Sequence, residues 1–215
     1  MKIKWLGHSC FQITSEKGTR IITDPFTSDR NTTYKEVTLE ADIVTSSHDH
    51  FDHNHTGPIK GNPEIIREAV DKTVRDVRVR AVRTWHDEIG GRERGPNLVF
   101  CLTVDGVTVC HMGDIGEQLQ KSHIEAIGKV DVILVPIGGV FTLDYGPAMQ
   151  LCENLKPSII IPMHYKTEQC QWLKWTADDF IRGRKNYRKL DAGEIEIIAG
   201  KLPVETEIII PKYTG

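Results

Sequence analysis

Alternation of hydrophobic and polar residues is the main pattern of this chain, and a period of two predicts β-strands. Residues 77–84, VRVRAVRT, alternate strictly, as a half-buried strand does. Asp105-Gly106 separates two apolar runs and favours a type I′ hairpin, which would place Cys101 opposite Cys110. Strands are also predicted at residues 2–6, 10–14, 19–23, 41–46, 98–104, 107–112, 130–137, 158–162, 194–198 and 206–210.

Three segments have a different pattern. Residues 64–72 (EIIREAVDK) and 147–155 have a helical period, so we expect helices there. Residues 26–40 are polar and aperiodic, which predicts an exposed loop. Because hairpins interrupt an alternation of strands and helices, the expected fold is α/β with mixed sheets. No repeat or linker divides the chain, so residues 1–215 are predicted to form one domain.

Composition limits the partners and the compartment. The net charge of −3 gives no reason to expect nucleic acid as a partner. No segment approaches the roughly 20 apolar residues of a membrane span, and the N-terminus lacks the apolar run of a signal peptide. The five cysteines form no CxxC pair, so we expect free thiols in a reducing cytoplasm.

The chemistry centres on the H-x-H-x-D-H motif of residues 48–53, which follows a predicted apolar strand. In an extended segment His48 and His50 point to the same side and can reach one metal. Asp52 and His53 are adjacent, so a turn is needed to direct both towards a second metal. Such donors suit zinc, iron, manganese or nickel. The alternative is a histidine-rich loop without a metal, since an isolated histidine is more often packed or exposed.

Other ligand-type residues follow the ends of further predicted strands. His86, Asp114 and His164 each lie just beyond such a strand. Open α/β sheets place functional groups at these ends, so we expect the three residues to join the motif. Asp24 has a similar position and is expected to orient a ligand.

The order of these motifs resembles the metallo-β-lactamase superfamily. HDHFDH is followed by a histidine 33 residues on, by Gly-Asp after a hairpin and by a late histidine, over almost the whole chain. WLGHSCF, HMGDIG and IPMHY are similar to the branch of L-ascorbate-6-phosphate lactonases and N-acyl-phosphatidylethanolamine phospholipase D. The resemblance implies a four-layer αββα sandwich of two mixed β-sheets flanked by helices.

The resemblance also implies a ligand set. One metal would be held by three histidines, a second by one carboxylate and two histidines, and a further carboxylate would bridge the two. His48, His50 and His86 would hold the first metal. Asp52, His53 and His164 would hold the second, and Asp114 would be the bridging carboxylate. The expected cofactors are two divalent transition-metal ions, zinc first, with manganese, iron or nickel as alternatives.

The function implied is a metal-dependent hydrolase that uses a metal-bridged hydroxide to cleave an ester, lactone or phosphodiester bond of a small, anionic substrate. Asp52 is the expected proton carrier. His8 is a candidate substrate contact or general acid, with a packed turn residue as the alternative. Arg92, Arg94 and Lys166 are candidate contacts for the anionic group, against the alternative of a solvated loop.

Other functions remain open at this point. Di-iron oxygen chemistry uses the same fold, usually with an extra carboxylate ligand and a flavin domain, and the sequence has neither. A non-catalytic metal-binding or sensing module is the third class, which the complete ligand set disfavours. An RNA-processing nuclease would need a further domain, and only 49 residues separate Asp114 from His164.

The oligomeric state also stays open, and the protein is expected to be either a monomer or a homo-oligomer. Trp172 and Trp175 are candidates for a lip of the site or a subunit contact, with core packing as the alternative.

Overall fold

A computed structural model describes residues 1–215 and arranges them as two β-sheets with three short helices. The strands are β1 Lys2–Gly7, β2 Cys10–Thr14, β3 Arg20–Thr23, β4 Glu40–Thr45, β5 Lys60–Ile66, β6 Asp71–Val74, β7 Val77–Trp85, β8 Pro96–Val104, β9 Val107–His111, β10 Val132–Pro136, β11 Ile159–Met163, β12 Tyr187–Lys189, β13 Glu194–Glu196 and β14 Glu207–Ile210. The helices are α1 Lys121–Ile127, α2 Tyr145–Leu155 and α3 Ala177–Ile181, and a 3₁₀ turn spans Ala199–Lys201.

Both sheets are mixed, as predicted. The first has the order β13-β1-β2-β3-β4-β5 and the second the order β12-β14-β11-β10-β9-β8-β7-β6. In the first sheet β1, β2 and β3 are antiparallel, whereas β3, β4 and β5 run parallel. In the second, β9, β10 and β11 run parallel, and the hairpins β6–β7 and β8–β9 make the other half antiparallel.

The core lies between the sheets and under the helices. Strands β10 and β11 are buried along their whole length, which explains their continuous apolar sequences VILVP and IIIPM. Helix α2 contacts β10 with an apolar stripe formed by Ala148, Leu151, Cys152 and Leu155, at the spacing that one helix face requires. A cluster of 59 buried hydrophobic residues connects both sheets. No helix is long and apolar enough to cross a membrane.

The helix predicted at residues 64–72 is wrong, because this segment forms the end of β5 and the start of β6. Of its apolar residues, Ile66 is buried, whereas Ile65 is 45% exposed. Parallel pairing of β5 with β4 supplies backbone hydrogen bonds instead, and such tertiary pairing outweighs helix propensity.

The segment 26–40 needs a partial correction. It contains no helix and no strand before Glu40, as predicted, but Phe26, Tyr34 and Val37 are buried. The Tyr34 ring meets the edge of Trp5 at 5.9 Å between centroids. These side chains anchor the loop to the core, while most of the polar residues between them are exposed.

Candidate metal centre

The predicted ligands lie in loops that follow four strands. Residues 48–53 follow β4, His86 follows β7, Asp114 follows β9 and His164 follows β11. Strands β7 and β9 are both antiparallel to β8, and β9 runs in the same direction as β11. Their carboxyl ends therefore share one edge of the second sheet, where they meet the loop from the first sheet.

One carboxylate oxygen lies at the centre of the cluster. Asp114 Oδ2 is 3.2 Å from His53 Nε2, 3.3 Å from His164 Nε2 and 3.4 Å from His86 Nε2. It is 4.0 Å from His48 Nε2. A single carboxylate oxygen thus faces histidines from both sheets.

Two groups of donor atoms flank Asp114. Within each group the ligand atoms lie within 4.8 Å of one another, close enough to share one cation. The first group is His48, His50 and His86, and the second is His8, Asp52, His53 and His164. The structure thus brings all seven predicted ligands together and adds His8 to the second group.

Unpartnered buried atoms indicate that the cluster fits a cation. Nε2 of His48 and of His53, both ring nitrogens of His164 and Oδ1 of Asp114 are buried without a hydrogen-bond partner. Leaving such a group unsatisfied costs about 1–3 kcal/mol. Several converging lone pairs are a poor arrangement for a folded protein on its own and a suitable one for metal coordination.

Burial and neighbouring charges together set the protonation states of the cluster. It lowers the pKa of His48 to about 3, with His53 adding to the effect, so the ring is neutral at pH 7. Burial would raise the pKa of Asp114, but His164 and His53 hold it well below its usual range. Burial would lower the pKa of His53, whereas Asp114 and Asp52 raise it. A metal ion therefore competes with a proton at His53.

Asp24 orients two of the histidines. Its carboxylate accepts hydrogen bonds from His53 Nδ1 at 2.8 Å, Ser47 N at 2.8 Å and Ser47 Oγ at 2.5 Å. Ser47 Oγ in turn lies 2.9 Å from His48 Nδ1. Because these contacts hold Nδ1 of both rings, Nε2 is left to face Asp114.

Asn97 positions the carboxylate of Asp114. Its Oδ1 accepts from Asp114 N at 3.0 Å, while its amide group donates to Thr84 Oγ1 and to Met112 O. Gly113 leaves room for this contact, because a Cβ atom there would lie 2.2 Å from Asn97 Oδ1. Sequence reasoning missed Asn97 and Ser47, since their roles depend on contacts between strands that no local motif encodes.

His8 lies behind Asp52 rather than in the open site. It is 1% exposed, and its Nε2 is 3.3 Å from Asp52 Oδ2. Its ring centroid lies 4.3 Å from that of His164. Burial, with His164 close by, lowers the pKa of His8 to about 4. The ring is therefore neutral at pH 7 and can donate one hydrogen bond to the carboxylate.

A cavity of about 460 Å³ opens onto the cluster. It is lined by Asn31, Thr32, His50, Phe51, Asp52, His86, Arg94, Asp114, Phe141 and Trp172. Of the three predicted anion contacts, Arg94 lines the cavity, whereas Arg92 and Lys166 are exposed and do not. Trp172 belongs to the lining, while Trp175 Nε1 donates to Asp144 Oδ1 at 2.8 Å.

Comparison with known proteins places the chain in a family. A family model described as a β-lactamase superfamily domain matches residues 2–164. The chain belongs to the metallo-β-lactamase superfamily. It is 30% identical to a metal-dependent hydrolase of Thermoplasma acidophilum, over 78% of this chain and 84% of that protein. A metal-dependent hydrolase of Thermococcus onnurineus is also 30% identical, over 92% of this chain and 95% of that one.

A solved structure agrees with this membership. It is that of a Thermotoga maritima protein assigned to the zinc-dependent hydrolases of the metallo-β-lactamase superfamily. Sequence identity is 34%, the TM-score is 0.81, and 97% of each chain is covered. The metallo-β-lactamase fold implied by the sequence motifs is therefore confirmed, and the protein is a metal-dependent hydrolase of that superfamily.

Proposed function

We propose that this metal-dependent hydrolase is binuclear and cleaves an ester, lactone or phosphodiester bond of a small molecule. The observation that carries the proposal is the position of Asp114 Oδ2, 3.3 Å from His164 Nε2 on one side and 3.4 Å from His86 Nε2 on the other. A single metal ion would need only one of the two donor groups, whereas a bridged pair uses both.

The two groups divide the ligands as follows. His48, His50 and His86 would hold the first metal, and Asp52, His53 and His164 would hold the second. Asp114, which lies between the two groups, would bridge them. Neutral imidazoles with few carboxylates favour zinc, and manganese, iron or nickel are the alternatives.

When bound, a pair of cations lowers the pKa of a shared water towards neutrality and polarises a carbonyl or phosphoryl oxygen. Asp52 lines the cavity, so its carboxylate can take a proton from the attacking water and return it to the leaving group. His8 Nε2 donates to Asp52 Oδ2 and keeps the carboxylate in one orientation. His8 thus acts through Asp52 rather than on the substrate.

A water nucleophile agrees with the composition of the cavity lining, which includes no serine and no cysteine. Outside the lining, Cys170 Sγ lies 4.0 Å from His8 Nδ1. Burial raises the pKa of Cys170 to about 12, so its thiol is protonated at pH 7 and is a poor nucleophile. We place the enzyme in the cytoplasm, where all five free cysteines would stay reduced.

Metal analysis with a substrate screen tests the proposal. The purified protein is expected to contain about two transition-metal ions per chain and to hydrolyse some of a panel of lactones, phosphodiesters, thioesters and amides. Asp114→Ala should lose metal and activity together, because two cations would then face each other without a bridge.

Asp49 provides the matched control. It lies in the same motif, but it is exposed and does not line the cavity. Asp49→Ala should keep the metal content and the activity of the natural protein. Less than half an equivalent of metal after soaking, or an Asp114→Ala variant that keeps both ions, would contradict the binuclear assignment.

A further inference from the structure

The rim of the cavity carries a cationic side chain that has no anionic partner. Arg94 is half-buried and lines the cavity next to His86 and Asp114. Its guanidinium group makes no ion pair and no hydrogen bond within the chain, and its contact is the ring of Phe141, 3.2 Å from the guanidinium carbon. Five N–H donors are therefore available to a bound molecule.

The backbone of Arg94 is fixed relative to the metal ligands. The Asp87 carboxylate, next to His86, accepts hydrogen bonds from four backbone N–H groups of the following loop. They belong to Ile89 at 3.0 Å, Gly91 at 2.7 Å, Glu93 at 3.0 Å and Arg94 at 2.8 Å. Burial would raise the pKa of Asp87, but these four donors hold it below its usual value. The glycine-rich loop is thus closed on Asp87, and the backbone of Arg94 is held beside the cavity.

Three aromatic side chains form part of the cavity lining. Phe141 is 50% exposed and has a φ angle of 70°, a conformation that bulky residues rarely adopt. Its ring lies 6.3 Å from that of Trp172, and Phe51, which lines the same cavity, is 58% exposed. Strained backbone of this kind clusters at active sites and ligand clamps.

We infer that the substrate combines a carboxylate or phosphate with an apolar or aromatic group. Arg94 binds the anion, while Phe141, Trp172 and Phe51 contact the apolar part. This inference rests on the proposed function, in which the metals take the bond that is cleaved, so that Arg94 serves a second, non-reacting group. A cavity of about 460 Å³ is of the size that takes a small molecule.

Binding of three simple probes to the metal-loaded protein tests the inference by titration calorimetry. Benzoate carries both features, benzamide has the ring without the charge, and acetate has the charge without the ring. Benzoate should bind more tightly than either. Arg94→Ala should weaken the binding of benzoate by about ten- to a hundredfold, which is the value of a hydrogen bond to a charged group. The affinity for benzamide should change by less than about twofold.

Two variants separate the contributions. Arg92→Ala removes an exposed arginine of the same loop and should leave all three affinities unchanged. Phe51→Ala, which removes another aromatic side chain of the lining, should weaken the binding of benzoate and benzamide but not that of acetate. Equal effects of Arg94→Ala and Arg92→Ala would overturn the role of Arg94, and a benzoate affinity no higher than that of acetate would overturn the aromatic part.

These measurements read binding without turnover. Suppose that the protein hydrolyses no member of the panel but that Arg94→Ala weakens its binding of benzoate. This result would contradict the proposed function and keep the inference about Arg94. An active enzyme in which Arg94→Ala leaves the affinity for benzoate unchanged would keep the proposed function and overturn the inference about Arg94.

Discussion

Seven residues other than glycine have positive φ angles, and three of them belong to the metal cluster or its supports. His8 has a φ angle of 51°, Asp24 of 39° and His164 of 47°. This conformation is unfavourable for a residue with a Cβ atom, so local hydrogen bonds must hold it. The His8 carbonyl accepts from Trp5 Nε1 and from His164 N, and Asp24 N donates to Thr45 O. Single-residue geometry is thus constrained where the ligands converge.

Replacing His8 tests its role in positioning Asp52. His8→Ala should lower kcat by about ten- to a hundredfold, the usual effect of removing a partner behind a ligand. KM should change little, because His8 does not line the cavity. His8→Gln keeps an N–H donor and should recover part of kcat. The measurement is steady-state kinetics on a substrate from the screen, with His123→Gln as a control outside the site.

Two results would contradict this role. Full activity of His8→Ala would show that Asp52 needs no support. Loss of one metal equivalent from His8→Ala would instead make His8 a ligand, since its donor atom lies within 4.8 Å of those of Asp52, His53 and His164.

The histidines and aspartates of the cluster could be proposed as ligands from the sequence because each lies just beyond a predicted strand. The residues that position them were not. Asn97 and Asp114 are 17 residues apart, and only the pairing of β8 with β9 brings them together. Arg92 and Arg94 were also indistinguishable in sequence. The closure of their loop on Asp87 directs one to the cavity and leaves the other outside.

Among the elements, the β8–β9 hairpin was the most predictable. Asp105 and Gly106 have φ angles of 49° and 77°, as a type I′ turn requires, and the strand register pairs Cys101 with Cys110 as predicted. The helix predicted at residues 64–72 was wrong for the opposite reason. Strand β5 lies at the edge of its sheet and is mostly exposed, so its hydrophobic pattern is weak and its structure is decided by pairing with β4.

The facing cysteines give a prediction about this hairpin. Their sulfur atoms are 3.7 Å apart, and a disulfide would require about 2.05 Å. Both thiols are buried within the sheet, which opposes that movement. We expect no thiol to react rapidly with Ellman's reagent in the folded protein, because all five cysteines are buried, and five to react after unfolding without reductant. A count of three after unfolding would indicate that Cys101 and Cys110 are oxidised.

At the scale of the whole molecule, the motifs predicted two mixed sheets, but hydrophobic patterning could not assign the last strands to them. Segments 194–198 and 206–210 were both expected to be strands. They contribute β13 beside β1 in the first sheet and β14 beside β11 in the second. Which sheet a short apolar segment joins depends on the edges left open by the rest of the chain, and this information is not local.

The cluster also connects the two sheets. His48, His50, Asp52 and His53 extend from β4 of the first sheet, whereas His86, Asp114 and His164 extend from strands of the second. Metal ions bound here would join both sheets. Without metal ions, the buried histidine nitrogens and carboxylate oxygens have no partner to offset the free energy lost when they leave water, which destabilises the fold. Metal binding should therefore contribute to the stability of the fold as well as to the reaction.

Chelation should lower the melting temperature of the protein. A ligand that binds only the folded state at about a thousand times its Kd contributes about 4 kcal/mol. For a chain of this size, each kcal/mol shifts Tm by about 2–4 °C, so removal of two such ions by excess EDTA should lower Tm by about 16–32 °C. Calorimetry with and without the chelator measures the shift, and added zinc should reverse it. Asp114→Ala should melt at the same temperature in either buffer, because it has no metal to lose. An equal shift in that variant would mean that EDTA acts elsewhere and that the cluster does not join the sheets through metal.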